Sequence, residues 1–163
     1  MALRTQLLVS GLIVLALLGQ GPATAQNASS QSQVWINAGT YSYHFDHSKS
    51  FRNNNIGIGA EWRLTPEQGI IVGHFINSND LRSRYLAYQW RPLNTSIGPT
   101  HWGVGVDVGA MNGYHYHNGA WFALVMPEVF FEYKRVGFNL FFVPKVGDRV
   151  DSAISLQAKV KVW

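Results

Sequence analysis

The amino-acid sequence predicts an all-β protein, an eight-stranded antiparallel β-barrel of the outer membrane. Apolar and polar residues alternate at period two in nearly every segment between turn signals, and there are eight such segments. The polar face of these segments is often glycine, so the bulky residues are expected to face lipid and the small ones the interior. A closed barrel also pairs its backbone amides without water, which a membrane-spanning chain requires.

The composition excludes several classes of protein. Of the 163 residues, 47% are hydrophobic, only 13% are charged and none is cysteine. These values argue against a disordered chain, a disulfide scaffold and a cysteine-ligated metal site. The formal net charge of +4 is small and scattered, so no nucleic-acid partner is predicted.

The N-terminal segment has the three parts of a secretory signal peptide. Arg4 supplies the positive start, residues 7–18 are almost wholly apolar, and Ala23 and Ala25 form a small-residue cleavage site. Twelve helical residues reach about 18 Å, which is too short for a hydrocarbon core of about 30 Å. We therefore expect residues 1–25 to be a cleaved signal peptide and residues 26–163 to form the barrel.

The strands are justified by their alternation. In the last segment the even positions 154–162 are apolar, whereas Ser155, Gln157, Lys159 and Lys161 lie between them. Residues 101–111 alternate in the same way, with apolar side chains at the even positions. The predicted strands are 33–45, 54–64, 69–78, 83–91, 100–112, 121–133, 135–143 and 152–163. If both chain ends lie in the periplasm, residues 65–68, 92–98 and 134 form the inner turns.

The candidate catalytic residues lie at the outer ends of two strands. His44 ends the first strand, and Ser78 ends the third strand next to Asn77. A histidine close to a serine hydroxyl can accept its proton, and a neighbouring amide or carboxylate can orient the imidazole. The alternative interpretation is that the serine and asparagine only form a turn.

The interior glycines and two prolines predict a path for a lipid chain. Gly57, Gly59, Gly103 and Gly105 fall on the inward face, where they would leave a lumen roomy enough for an acyl chain. Pro127 and Pro144 each remove a donor from the strand ladder, which would weaken the wall and open it laterally. The alternative is a strand end or a bulge at each proline.

The remaining ionisable residues predict no metal site and no cofactor. His115 and His117 lie in an outward loop without a nearby carboxylate to complete a metal site. His101 and Asp107 lie on the inward face, where we expect an interior polar network. His74 shares a face with aliphatic residues and is expected near the outer lipid interface.

These pieces, in this order and spacing, resemble the outer-membrane lipid A palmitoyltransferases, the PagP-type eight-stranded barrels. The resemblance covers most of residues 40–162. The segments that carry it are Ser42-Tyr43-His44, Gly57-Ile58-Gly59 with Trp62, Phe75-Ile76-Asn77-Ser78, Tyr88-Gln89-Trp90-Arg91-Pro92-Leu93, the glycines Gly103, Gly105 and Gly109, and the prolines Pro127 and Pro144.

The resemblance implies transfer of a palmitoyl-type chain from a phospholipid to lipid A by rim residues, without a cofactor, in a membrane-embedded monomer. His44 and Ser78 would match the family's histidine and serine. The acid of the family is replaced here by Asn77, so a carboxylate would have to come from Asp80 or Asp46. The long amphipathic N-terminal helix of the family is largely missing.

Three other interpretations of the sequence remain open, two of function and one of fold. The protein is alternatively a hydrolase of lipid acyl chains, or a non-catalytic small outer-membrane barrel whose loops bind surface ligands. A soluble β-sandwich exported to the periplasm would also show alternating strands.

Overall fold

The computed structural model describes residues 32–145 and 150–163, and the predicted signal peptide lies outside these residues. Eight strands form one closed antiparallel barrel in the order β1 to β8, in which β8 pairs with β1. This confirms the predicted fold and excludes the sandwich. The strands are β1 (Gln33–His44), β2 (Asn54–Arg63), β3 (Gln68–Ile76), β4 (Arg82–Ile97), β5 (Thr100–Met111), β6 (Phe122–Tyr133), β7 (Val136–Val143) and β8 (Ala153–Lys161).

The outward face of the barrel is apolar and the inward face carries the polar residues, as the alternation predicts. Large side chains such as Trp62, Val104 and Leu156 are exposed on the outside, while Gln157 and Lys159 of β8 are buried inside. An apolar outer surface of this extent around a closed barrel is typical of contact with lipid. The described helix is one short 3₁₀ turn at His115–His117, and no described helix is long and apolar enough to cross a bilayer.

β4 is longer than predicted. The turn expected at residues 92–98 is wrong, because β4 continues to Ile97 and turns only at Gly98 and Pro99. The register with β5 shifts between Trp90 and Leu93, so Pro92 lies in a bulge. A bulge residue has no obligatory ladder hydrogen bond, and proline is tolerated there.

The lower interior, at the end where β1 begins and β8 ends, is filled by a charge cluster. It contains three carboxylates and three cations, joined by ion pairs of 2.5 to 3.9 Å: Glu61, Glu128, Glu132, Arg63, Arg91 and Lys159. The Phe130 ring lies against the Arg91 guanidinium at 4.4 Å, and His101 Nδ1 lies 3.3 Å from Glu132 Oε2. The expected interior network at His101 is therefore confirmed, and it blocks this half of the lumen.

Candidate functional site

The upper half of the lumen holds a cavity of about 310 Å³ that reaches the loops at the end away from the termini. Its wall is mainly apolar and comes from β3 to β7: Ile71, Phe75, Tyr85, Ala87, Met111, Leu124, Met126 and Phe141. Asp107 and Gln157 lie at its inner end, next to the charge cluster. From Ala153 to Gln157 the lining extends over five residues of β8, and the four rises between them correspond to a depth of about 10 Å along the axis of a barrel with tilted strands.

His44 lies at the mouth of this cavity. Its ring stacks on Phe51 with the ring centroids 4.4 Å apart and the planes 26° apart. Nδ1 is buried and makes no hydrogen bond of normal geometry to a described residue, although the Asn53 side chain lies beside the ring. The imidazole is thus held in place by stacking, and its buried Nδ1 is left without a hydrogen-bond partner among the described residues.

Ser78 also lines the mouth of the cavity. It lies just beyond β3 rather than within it, and its backbone carbonyl accepts a hydrogen bond from Arg52 N at 3.0 Å. No hydrogen bond joins Ser78 to His44 in the described structure. The barrel therefore brings the two predicted residues to the same opening, as their places at strand ends indicate, without pairing them directly.

Asn77 has a structural role in the β3–β4 turn. Its Nδ2 donates to Ser83 Oγ and to the Gly113 carbonyl, both at 2.9 Å. Its Oδ1 accepts from the backbone N–H groups of Asn79 and Leu81 at 2.9 and 3.1 Å. Since all of these bonds tie the turn to the neighbouring loop, the amide is not placed to orient the His44 imidazole.

The carboxylate beside His44 is Asp151, which the sequence did not single out. Asp151 lines the same mouth, and its charge acts on the His44 ring. It also forms an ion pair with Lys49 Nζ at 2.8 Å. Asp151 reaches this place because β8 closes the barrel on β1, where Ala153 pairs with His44.

The two carboxylates that the sequence offered are engaged in other contacts. Asp80 pairs with Arg52 at 2.8 Å. Asp46 accepts hydrogen bonds from the Ser48 hydroxyl and backbone N–H, and these bonds lower the pKa of the Asp46 carboxyl. Neither carboxylate therefore replaces the acid that the resemblance requires.

The four interior glycines do not line the cavity, which corrects their predicted role in chain binding. A Cβ at Gly59 would lie 2.5 Å from the Tyr85 hydroxyl, and one at Gly105 would lie 2.8 Å from Arg91 Cγ. At Gly57 and Gly103 a Cβ would meet the backbone of the neighbouring strand. These glycines make room for Tyr85, for Arg91 and for close strand approach.

In the described part of the chain, the hydrogen-bonded register between β6 and β7 ends below the upper part of the cavity. The register of these strands runs from Tyr133 and Val136 up to Glu128 and Phe141, and among the described residues it ends there. Pro127 is the next residue of β6, and it pairs only with Val106 of β5. Above this point Met126 and Val143 line the cavity; each is paired with its other neighbour, Asp107 and Ala153 respectively, but they are not paired with one another. Pro144 follows β7, so both prolines border the predicted lateral opening.

A polar strip runs along the opposite wall of the cavity. The hydroxyls of Ser42 and Ser155 lie 2.8 Å apart, and Asn55 Nδ2 donates to the Ser42 hydroxyl at 2.8 Å. All three residues line the cavity. Their inward positions follow from the alternation, but their mutual contacts depend on the β1–β8 closure.

At the inner end of the cavity, the contacts of Asp107 differ from the interior polar network that the sequence predicts for this residue. Asp107 Oδ2 accepts only a long hydrogen bond of 3.5 Å from Gln89, and Oδ1 has no partner among the described residues. Its side chain lies outside the balanced ion pairs of the charge cluster.

The loop between β5 and β6 covers part of the cavity mouth with aromatic rings. Tyr114 lines the cavity, and burial raises the pKa of the Tyr114 hydroxyl. His117 stacks on Phe122 with the ring centroids 4.9 Å apart. In the described part of the chain, no group of three histidine, aspartate or glutamate side chains is placed to hold a metal ion.

Comparison with known proteins shows a similar fold and no relative. No protein-family model matches the chain, and no curated protein is detectably similar in sequence. Among solved structures, the solution NMR structure of the de novo designed TMB2.3 is similar with a TM-score of 0.50 and 15% sequence identity. The match covers 85% of this chain and 98% of that chain. At this identity the likeness supports the barrel fold alone.

Proposed function

We propose that this protein is an outer-membrane acyltransferase that moves a palmitoyl-type chain from a phospholipid to lipid A. The observation that supports the proposal is the apolar cavity, which is lined at its mouth by His44 and Ser78 and on one side by Met126 and Val143, beyond the end of the β6–β7 register. Each of the eight strands pairs with a neighbour on both sides over part of its length, so the barrel offers no full-length free edge to another subunit, and we propose that it acts as a monomer.

The cavity suits an acyl chain better than a polar ligand. Ile71, Leu124 and Phe141 surround its middle, and these side chains bind hydrocarbon without leaving an unsatisfied polar group. A chain from a membrane lipid would enter sideways above Pro127, because there the two strands do not hydrogen-bond to one another. Its ester group would then remain near the mouth, beside His44.

The chemistry proposed for the mouth needs one base. His44 takes the proton from an attacking hydroxyl, which belongs either to Ser78 or to the lipid A acceptor. The oxygen bonds to the ester carbonyl, the bond to the glycerol oxygen breaks, and the imidazolium returns the proton to the leaving alcohol. If Ser78 attacks first, an acceptor hydroxyl then displaces it by the same steps. The Asp151 carboxylate stabilises the positive imidazolium.

The test is a mass-spectrometric assay of the refolded protein in detergent with phospholipid and lipid A. A mass gain of one acyl chain on lipid A, together with formation of lysophospholipid, is the expected result. His44→Ala should abolish the gain, and Asp151→Asn should reduce it at least tenfold. Ser78→Ala should abolish the gain if Ser78 attacks first and should leave it if the acceptor hydroxyl attacks directly.

Matched controls separate chemistry from folding. His47→Ala and Ser50→Ala remove the same side-chain types from the neighbouring exposed loop and should keep full activity. Free fatty acid without acylated lipid A would indicate the hydrolase instead. No turnover by the wild type would favour the non-catalytic barrel. Full activity of the His44 variant would refute the assignment of His44 as the base.

A further inference from the structure

The outward wall of the barrel carries lysine or arginine at only two positions in the eight described strands. These are Arg82 and Arg84, which alternate with inward residues at the outer end of β4 and are both exposed. His74 of β3 pairs directly with Arg84 and is exposed on the same side. Side chains at directly paired positions lie about 5 Å apart. The three residues form one cationic patch on an otherwise apolar wall.

The patch lies immediately above the apolar band. Below Arg84 the outward residues of β4 are uncharged from Leu86 to Ile97, a distance of about 36 Å along the strand, and all but Thr95 near its lower end are apolar or aromatic. With a strand tilt of about 40°, this distance corresponds to about 28 Å along the barrel axis, close to the apolar height of about 25 Å of such barrels. Arg82 and Arg84 therefore lie at the level of the lipid headgroups.

The guanidinium groups of Arg82 and Arg84 have no partner in the described part of the chain, unlike those inside the barrel. Arg63 and Arg91 are paired with carboxylates, and Arg52 is paired with Asp80. The Arg84 backbone N–H donates to Asn112 Oδ1 at 2.8 Å, but within the described ranges no ion pair or hydrogen bond engages the guanidinium group of Arg82 or Arg84. The planar donor group of arginine binds phosphate oxygens through two parallel hydrogen bonds.

We propose that Arg82, Arg84 and His74 form a binding site on the outer wall for the phosphate groups of lipid A. The proposal shares the outer-membrane location with the proposed function but does not depend on acyl transfer. The phosphates of an outer-leaflet lipid are the anions that lie at this height next to an apolar wall, and the charge of the patch complements them. Leu86, below the arginines, would contact the acyl chains of the same lipid.

The test measures binding without turnover, because no phospholipid donor is added. The refolded protein in zwitterionic detergent would be titrated with bis-phosphorylated lipid A and, separately, with fully dephosphorylated lipid A. Native mass spectrometry would measure the bound fraction of protein. The wild type should bind the phosphorylated form about 30-fold more tightly, since each arginine near a membrane surface strengthens attraction to anionic lipid about fivefold.

Arg82→Gln/Arg84→Gln should remove this preference, and Arg82→Lys/Arg84→Lys should keep part of it. The matched control is Lys134→Gln/Arg135→Gln, which removes two exposed charges from the β6–β7 turn at the other end and should bind as the wild type does.

Three results would overturn the proposal. The first is equal wild-type affinity for the two lipids, a measurement that requires no variant to fold. The second is the same loss of affinity in both glutamine variants, which would indicate general charge attraction. The third is displacement of the lipid by millimolar inorganic phosphate, which would indicate a site for the free anion. None of these three binding results depends on acyl-transfer activity. Failure of the lipid A binding site and failure of the proposed acyltransferase function can therefore be distinguished.

Discussion

Lys159 is the residue whose replacement tests the interior charge cluster most directly. Its side chain is fully buried, and Nζ lies 2.7 Å from Glu132 Oε1 and 3.0 and 3.1 Å from the two oxygens of Glu61. Three cations balance three carboxylates in this cluster. Lys159→Met removes one cation and leaves a carboxylate uncompensated. Breaking a buried ion pair in this way costs about 3 to 5 kcal/mol of unfolding free energy.

The assay is equilibrium unfolding in urea of the protein refolded in phospholipid vesicles, followed by tryptophan fluorescence. The matched control is Lys161→Met, because Lys161 is only partly buried and lies over the Trp35 ring at 5.5 Å. It should cost about 1 kcal/mol or less.

The double variant Lys159→Met/Glu132→Gln restores the charge balance of the cluster. It should therefore be more stable than the sum of the two single effects predicts. A loss below about 1 kcal/mol for Lys159→Met, or strictly additive effects in the double variant, would refute the reasoning.

Three further predictions test other parts of the barrel. Gly59→Ala should destabilise the protein by about 1 to 3 kcal/mol in the same urea assay, and Tyr85→Phe should relieve part of that loss, because the new methyl would meet the Tyr85 hydroxyl. If adding Tyr85→Phe relieves none of the loss, the steric explanation is wrong. Met126→Cys/Val143→Cys, at positions that continue the β6–β7 register in a chain without cysteine, should lose acyl transfer when oxidised and regain it with a reductant. Full activity of the oxidised form would exclude lateral access here. Because burial raises the pKa of Tyr114, the unfolded chain ionises first, and stability should fall as the pH rises above about 10. Tyr114→Phe should show a smaller fall in unfolding free energy between pH 9 and 12, and an unchanged profile would contradict this assignment.

The strands and their sidedness were readable from the sequence because they depend on local alternation. In β8, apolar residues at even positions and polar residues at odd positions define the two faces without knowledge of any neighbour. The predicted end of β4 was wrong, because a proline such as Pro92 usually indicates the end of a strand. Only the register with β5 shows that a bulge carries β4 through it.

The sequence located the candidate site in part. The ends of β1 and β3 were sufficient to predict that His44 and Ser78 lie at one rim, since alternate strand ends of an up-and-down barrel meet there. It did not identify Asp151, which is 107 positions from His44 and reaches the imidazole only through the pairing of β8 with β1. It also assigned Asn77 to the imidazole, whereas the tertiary structure uses that amide to hold two loops together.

What the sequence determined by itself is therefore the barrel, its sidedness and the rim position of its candidate catalytic residues, because each follows from spacing along one strand. The tertiary structure decided what fills the lumen. The sequence predicted open lumen beside the interior glycines. The side chains of Tyr85 and Arg91, which both come from β4, occupy the space beside Gly59 and Gly105, and the cavity lies above these two side chains. Which side chain enters the space beside a glycine depends on register and closure, and these are properties of all eight strands together.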